Sequence, residues 1–312
     1  MPSHPELTIC TVSYESTEWL RLNLELVRRL NPDSGFRWLV AENSLADSTT
    51  RLGSDEPGFE VIEGAAYETK PYGSASYHHA AGLNIITRLV STRYLLILDP
   101  DFFILRKNWI QDIIAHMRSG NVAILGVPWH PKRASKFRYF PCAHCTFIDL
   151  HKIPKETLDF APDYENNPGL MNATMRRHSR INSLTARLTF AKRRRIGTAR
   201  DTGWRLFRRH SNDPSLKIEC FQPVFQPRAR RRFVDNFFPD HLSLTPKRHG
   251  YFSETGFTTY GLPDLQSNGW EEFLWNNAPL GFHVRCHPIR NMKSDQPISN
   301  HYKAVKTLLD QI

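Results

Sequence analysis

The sequence predicts an α/β protein: a mostly parallel sheet flanked by helices, followed by a less regular, basic C-terminal part. Three observations carry this. Short β-rich runs alternate with helical periodicity through residues 7–127, the order that builds a parallel sheet with helices on both faces. The run Tyr94-Leu95-Leu96-Ile97-Leu98 is apolar and uncharged, as a strand covered on both faces must be. Charge is unevenly spread: residues 176–209 hold twelve Lys or Arg and one acid, Asp201.

The elements follow in order. Residues 7–14 alternate and are β-rich, so they form a first strand. Glu15-Ser16-Thr17 can cap a helix carrying Trp19, Leu20, Leu22, Leu24, Leu26, Val27 and Leu30 on its apolar positions. Asn31-Pro32-Asp33-Ser34-Gly35 is a turn. Residues 36–41 form a second strand ending at Glu42-Asn43-Ser44, and residues 59–62 a third. A helix over residues 76–90 carries His78, His79, Gly82 and Asn84, its histidines on the helix surface or in a pocket. The strand ending at Asp99, a helix over 108–119 and a strand over 122–127 complete the alternation. Residues 140–150 read as one more strand, 151–175 as loop, 176–210 as basic and partly helical, and 221–246 as rich in Pro, Arg and aromatics. No repeat appears and no linker separates two domains. The expected division is functional, with residues 1–150 and 151–312 as two halves.

A chain of 312 residues with 40% hydrophobic and 12% aromatic content can bury a large core. Its apolar runs are too short to span a membrane. The N-terminus lacks a basic and then apolar leader, so a cytoplasmic location is expected. Five cysteines, an odd number, argue against a disulfide framework. Cys142-Ala143-His144-Cys145 has metal-like spacing but no second ligand pair, so it reads as small residues of a strand lining a pocket. A net charge of +10 points to anionic partners.

The chemistry centres on Asp99-Pro100-Asp101, directly after the buried strand. Two carboxylates at i and i+2 can point the same way and repel unless a cation is near. A hard divalent cation with open positions would then meet a phosphate-bearing substrate. The competing reading is a plain turn or helix cap. Ligands of parallel sheets bind beyond the carboxyl ends of the strands. Ser13, Glu42 and Asp99 all follow strand ends, so they should gather along one edge.

These segments resemble the family 2 group of GT-A glycosyltransferases. Thr11-Val12-Ser13-Tyr14 is similar to that family's first strand and nucleotide-contacting turn. Ala41-Glu42-Asn43-Ser44 resembles its Asp-Asn-Gly-Ser strand end, with Glu42 in place of Asp. Gly73-Ser74-Ala75-Ser76 with Gly82-Leu83-Asn84 resembles the helix before the metal motif, and residues 94–101 resemble the D-x-D strand itself. Residues 140–150 fit the acceptor-side strand. The resemblance covers residues 7–150; the remainder carries no clear signature.

The resemblance implies a GT-A, Rossmann-like fold and an inverting, metal-dependent transfer from a nucleotide-diphosphate sugar. Mn²⁺ or Mg²⁺ would bridge the diphosphate, with Asp101 as ligand and Asp99 on the ribose or on the metal. Val12, Ser13, Tyr14, Glu42 and Asn43 would hold the nucleoside. A late histidine can be a further ligand, which points to His283, with Arg285 on the diphosphate; alternation puts both on one strand face. Residues 1–150 would bind the donor and 151–312 the acceptor. Asp201 is the chosen general base, kept ionised by surrounding arginines. It also reads as an N-cap of a helix carrying Trp204, Leu206 and Phe207. Asp149 and Asp163 are weaker candidates.

Ile181, Leu184, Leu188 and Ala191 recur at helical spacing among arginines. A basic amphipathic helix there, within residues 176–209, would lie on an anionic membrane surface and suit a glycan or lipid-linked acceptor, peripheral at the inner face of the membrane. A solvated charged helix or a disordered loop reads equally well. Arg228-Ala229-Arg230-Arg231-Arg232 carries the same ambiguity. Two other functions compete. A nucleotidyltransferase would carry a Gly-rich phosphate loop after the first strand, and Tyr14-Glu15-Ser16-Thr17 has no Gly. A nucleic-acid-binding protein would suit the arginine clusters, but no helix-turn-helix, zinc-finger or RNP-type signature accompanies them, so nucleic acid is not an expected partner.

Overall fold

The computed structural model describes residues 5–65, 74–133, 136–164, 200–227, 240, 243, 245–285 and 298–312. Gly73, the basic stretch up to residue 199, the cluster at 228–232 and Cys286 lie outside them. The protein is α/β and is built on two sheets. The first has seven strands in the order β3-β2-β1-β4-β7-β6-β8. Its members are β1 (Leu7–Ser13), β2 (Phe36–Glu42), β3 (Glu60–Glu63), β4 (Tyr94–Leu98), β6 (Val122–Pro128), β7 (Pro141–Asp149) and β8 (Lys217–Cys220). Pairing is parallel from β3 through β2 and β1 to β4, and between β6 and β8. Strand β7 alone runs antiparallel, between β4 and β6.

Helices α1 (Thr17–Leu30), α2 (Ser74–Thr87) and α3 (Trp109–Ser119) cross between these strands. All of β1, β4 and β6 is buried, as expected of strands packed on both faces. Each fully buried Leu or Ile contributes about 1.5–3 kcal/mol. Ser16 stands at the N-cap of α1 without a side-chain capping bond; its hydroxyl donates to Tyr14 O at 2.8 Å instead. Close packing sets α2 on the sheet. A Cβ on Gly82 would lie 2.9 Å from Val12 Cγ2 and 3.2 Å from Asn43 Nδ2.

The second sheet is absent from the sequence expectations. It is four-stranded and antiparallel, in the order β5-β11-β10-β9, with β5 (Phe102–Ile104), β9 (Gln222–Pro223), β10 (Glu271–Trp275) and β11 (Ala278–His283). It takes β5 from the first half of the chain, while β8 from the second half joins the first sheet, so residue 150 divides neither sheet from the other. Helices α4 (Trp204–His210) and α5 (Ile298–Leu309) complete the described α-helices. Among the described residues, no helix is long and apolar enough to cross a membrane.

Asp99-Pro100-Asp101 is the turn from one sheet to the other. Phe102 N donates to Asp99 O at 3.1 Å, and proline presets the backbone at the second position of such a turn. Asn23, buried among the leucines of α1, donates from Nδ2 to Phe102 O at 2.8 Å and to Pro100 O at 3.4 Å. Asn23→Ala would strand the Phe102 carbonyl. We expect a loss of about 1–3 kcal/mol in a denaturant titration; an unchanged midpoint would show that the turn does not need this bond.

Candidate active site

A cavity of about 230 Å³ opens where β1, β2 and β4 end. Because β7 runs the other way, its beginning reaches the same edge: Cys145 pairs with Leu98, and Asp99 N donates to His144 O at 2.8 Å. The chain from β11 arrives from the second sheet. His283 pairs with Phe102, and Val284 N donates to Asp101 O at 3.1 Å.

One wall holds Val12, Tyr14, Asn43 and His78. Asn43 ties the wall together. Its N–H donates to Ser13 O, its Nδ2 to His78 O at 2.9 Å, and its Oδ1 accepts from Ala65 N at 3.0 Å. The Tyr14 and His78 rings meet edge to face with centroids 6.1 Å apart. Glu15 follows in the left-handed region, φ 51°, with its N–H on Ser44 Oγ at 2.7 Å. Glu42 and Ser13 do not line this cavity. Glu42 is 1% exposed, and its two oxygens accept from Ser44 N at 2.7 Å and Leu52 N at 2.9 Å. It shapes the loop after β2, and Ser13 contributes its backbone carbonyl to Asn43.

The opposite wall is a cluster of acids and imidazoles. His144 Nδ1 donates to Asp99 Oδ2 at 2.6 Å, and His283 Nε2 donates to Asp101 Oδ1 at 3.0 Å. His283 Nε2 is also 3.6 Å from Asp99 Oδ2, and His79 Nε2 lies 3.6 Å from Asp99 Oδ1. Asp99, His144 and His283 can each offer one ligand atom within 4.8 Å of the others. Burial alone would raise the Asp99 carboxyl, but the imidazole of His144, with His79 and His283 behind it, holds it below the usual carboxylate range. Burial lowers His144 to about 4 against the pull of Asp99. Near neutral pH the cluster therefore offers a carboxylate and an uncharged imidazole, the forms that bind metals.

Arg285 closes this wall, though not from the strand face that alternation predicted. It lies beyond the end of β11 with φ 59°. Its Nη2 is 3.4 Å from His144 Nε2 and its Nη1 3.4 Å from Glu271 Oε2. The Trp129 ring stands edge-on to His144, centroids 4.6 Å apart.

Asp201 also lines the cavity. Its helix α4 is capped by Gly203 at φ 82°, so Asp201 is not the cap residue. Lys136 pairs with Asp201 Oδ2, and Thr202 N donates to Oδ1 at 2.8 Å. Burial would raise this carboxyl, but Lys136 most of all, with Ser76 and Tyr164, holds it well below the ordinary range. A lysine therefore keeps it ionised, in place of the expected arginines. Asp149 and Asp163 lie away from the cavity, paired with Arg93 at 2.8 Å and Arg200 at 2.7 Å.

His144 and Glu271 are the residues that sequence reasoning passed over. His144 sits between the two cysteines of the metal-like spacing. Those cysteines are free and buried, while His144 is the one residue of β7 that is not buried. The signal was present in the motif and was assigned to pocket lining.

No family model matches the chain, and no curated protein does. Solved structures similar to it include the mannosyltransferase PcManGT from Pyrobaculum calidifontis in complex with GDP-Man and Mn²⁺, at 11% identity and a TM-score of 0.34, over 51% of this chain and 48% of that one. S. aureus TarS in complex with UDP-GlcNAc matches at 12% identity and 0.35, over 50% and 48%. The galactosyltransferase LgtC in complex with donor and acceptor sugar analogs matches at 15% and 0.31, over 46% and 58%. The chain spans about half the length of the solved structures it matches.

One histidine beside the site gives it a pH dependence. His130 Nε2 donates to Val224 O at 2.8 Å, and its Nδ1 accepts from Lys132 N at 3.3 Å. Both nitrogens are thus satisfied only in the neutral ring. Burial lowers its pKa from 6.5 to about 4. Between those values the unfolded chain binds a proton that the folded chain refuses, so stability falls as pH drops from 6.5 to 4, by on the order of 3 kcal/mol. Urea titrations across that range should show a smaller fall for His130→Gln. An equal slope in both proteins would place the acid sensitivity elsewhere.

Proposed function

We propose that this protein is an inverting, metal-dependent glycosyltransferase that moves a sugar from a nucleoside-diphosphate sugar to an acceptor hydroxyl, in the synthesis of a cell-surface glycan. One observation carries the reading: the acids of Asp99-Pro100-Asp101 meet two imidazoles and an arginine in a single cavity at the carboxyl edge of the parallel strands. The residues fit a divalent cation. They offer carboxylate oxygens and imidazole nitrogens close together, a set that suits Mn²⁺ and related ions and also accepts Mg²⁺. Asp99, Asp101 and His283, with His144 beside them, would hold the ion, which would supply charge neutralisation for the departing diphosphate. Arg285 would bind the same diphosphate. Val12, Tyr14 and Asn43 would wall the nucleoside, on the loops that Ser13 and Glu42 brace.

Asp201 would take the acceptor proton. Its pairing with Lys136 makes it a weak base as it stands, so an acceptor hydroxyl must displace or share that lysine. Anionic membrane would be the setting for a lipid-linked acceptor, approached through residues 176–209. Cosedimentation with phosphatidylglycerol vesicles that persists in high salt, or fails in low salt, would remove that part of the reading.

UDP, GDP, dTDP and CMP, each with and without Mn²⁺, should be compared by calorimetry. At least one nucleotide should bind more tightly with the ion. Asp101→Asn should abolish that gain while leaving the melting curve unchanged. Asp201→Asn should keep donor binding and lower turnover about 10²–10⁴-fold. Binding of none of the nucleotides, or an unaltered metal effect in Asp101→Asn, would refute the donor site.

A further inference from the structure

Glu271 is a carboxylate at the start of β10, 1% exposed, and it pairs in register with His283 on β11. Its Oε1 is met by Arg133 Nε at 3.2 Å and Lys132 Nζ at 3.6 Å, and its Oε2 by Arg285 Nη1 at 3.4 Å. Burying a charge is costly unless it is paired, and three cations pair this one. The fourth neighbour of the carboxylate is His283 Nδ1, 3.9 Å from Oε2 and just outside hydrogen-bond range.

A neutral imidazole carries one proton. With that proton on Nε2, where it serves Asp101, Nδ1 is a buried acceptor without a partner. It then faces a second acceptor, the Glu271 carboxylate. The other tautomer removes the mismatch at Nδ1 and moves it to Nε2, where only a cation would relieve it. A proton on Nδ1 would be on the nitrogen 3.9 Å from Glu271 Oε2, and the Nε2 lone pair would face Asp99 and Asp101, an arrangement that a cation between them would satisfy. The proton count of the ring is the same in both forms; solvent exchange moves the proton between nitrogens.

We propose that Glu271 is a positioning residue of the metal site, stabilising the Nδ1–H tautomer of His283 so that Nε2 can bind a divalent cation together with Asp99 and Asp101. The inference rests on the metal reading above. Metal-binding histidines commonly donate their second N–H to a carboxylate, and loss of that partner costs about 10–100-fold in metal affinity. Glu271 differs from an ordinary structural ion pair in one respect: its cationic partners are already sufficient, yet it is brought to a ring nitrogen that has no other use for it.

The test is nitrogen NMR on protein labelled at histidine, with Zn²⁺ as a diamagnetic probe and His283→Gln to assign the ring. Without metal, Nε2 should carry the proton. At saturating Zn²⁺, Nδ1 should carry it. Glu271→Gln should weaken Zn²⁺ binding at least tenfold in calorimetry. A ring that keeps its proton on Nε2 at saturation overturns the proposal, as does wild-type affinity in the variant. The tautomer result in the native protein decides the matter even if the variant folds poorly. Absence of Zn²⁺ binding to the native protein sinks both this inference and the metal reading. Zn²⁺ binding with the tautomer change, but no metal effect on any nucleotide, would sink the transferase reading and leave Glu271's role intact.

Discussion

The pairing of β5 with β11 is the constraint on which the site depends. Asp99 directly follows a strand of the first sheet, and three residues later the chain is a strand of the second. With Phe102 opposite His283, and Val284 N on Asp101 O, the register leaves His283 nowhere to go except against the two aspartates. A slip of one residue would turn the imidazole to the other face of the sheet. Close approach enforces the register: a Cβ on Gly281 would lie 2.3 Å from Phe103 O. The position tolerates no side chain unless the strands separate.

Charge balance follows from that geometry. The cavity brings together Asp99, Asp101, Asp201 and, behind His283, Glu271. Each acid has a counterpart held by a different element: His144 from β7, His283 from β11, Lys136 and Arg285 from loops. The imidazole N–H groups of His144 and His283 face the carboxylates of Asp99 and Asp101. The acids are therefore paired as they stand, and on the metal reading a cation would take the place of these N–H contacts as the ring proton of His283 moves to its other nitrogen.

Much of this was legible in the sequence. Apolar runs and helical periodicity gave β1, α1, β2, β4, α3 and β6 nearly to the residue, because strands buried on both faces leave a strong signal. Strand order placed Ser13, Glu42 and Asp99 along one edge; Asp99 lines the cavity, and Val12 and Asn43 line it in place of their neighbours Ser13 and Glu42. Three features were not legible. The second sheet is built from strands of two to six residues, with β5 and β9 far in sequence from the adjacent β10 and β11, and such strands are too short for periodicity to register. The direction of β7 is fixed by which neighbours it joins, and nothing within residues 141–149 encodes it; with the direction unknown, His144 could not be placed beside Asp99. Glu42 read as a ligand contact because a strand-end acid looks the same whether it faces a cavity or its own loop.

On the reading that it takes the acceptor proton, Asp201 would have to satisfy two demands that differ in time. A buried carboxylate needs a cation, and Lys136 provides one. A general base needs a free lone pair and a pKa near that of its partner, and Lys136 denies both. The conflict resolves if the lysine is shared only until an acceptor arrives. Lys136 lies 4.6 Å over the Trp129 ring, whose edge-on contact is His144. The ammonium is thus held by the carboxylate and the aromatic face together. A shift of Lys136 away from the carboxylate would free Asp201 while the cation kept its contact with Trp129, the indole that also touches His144.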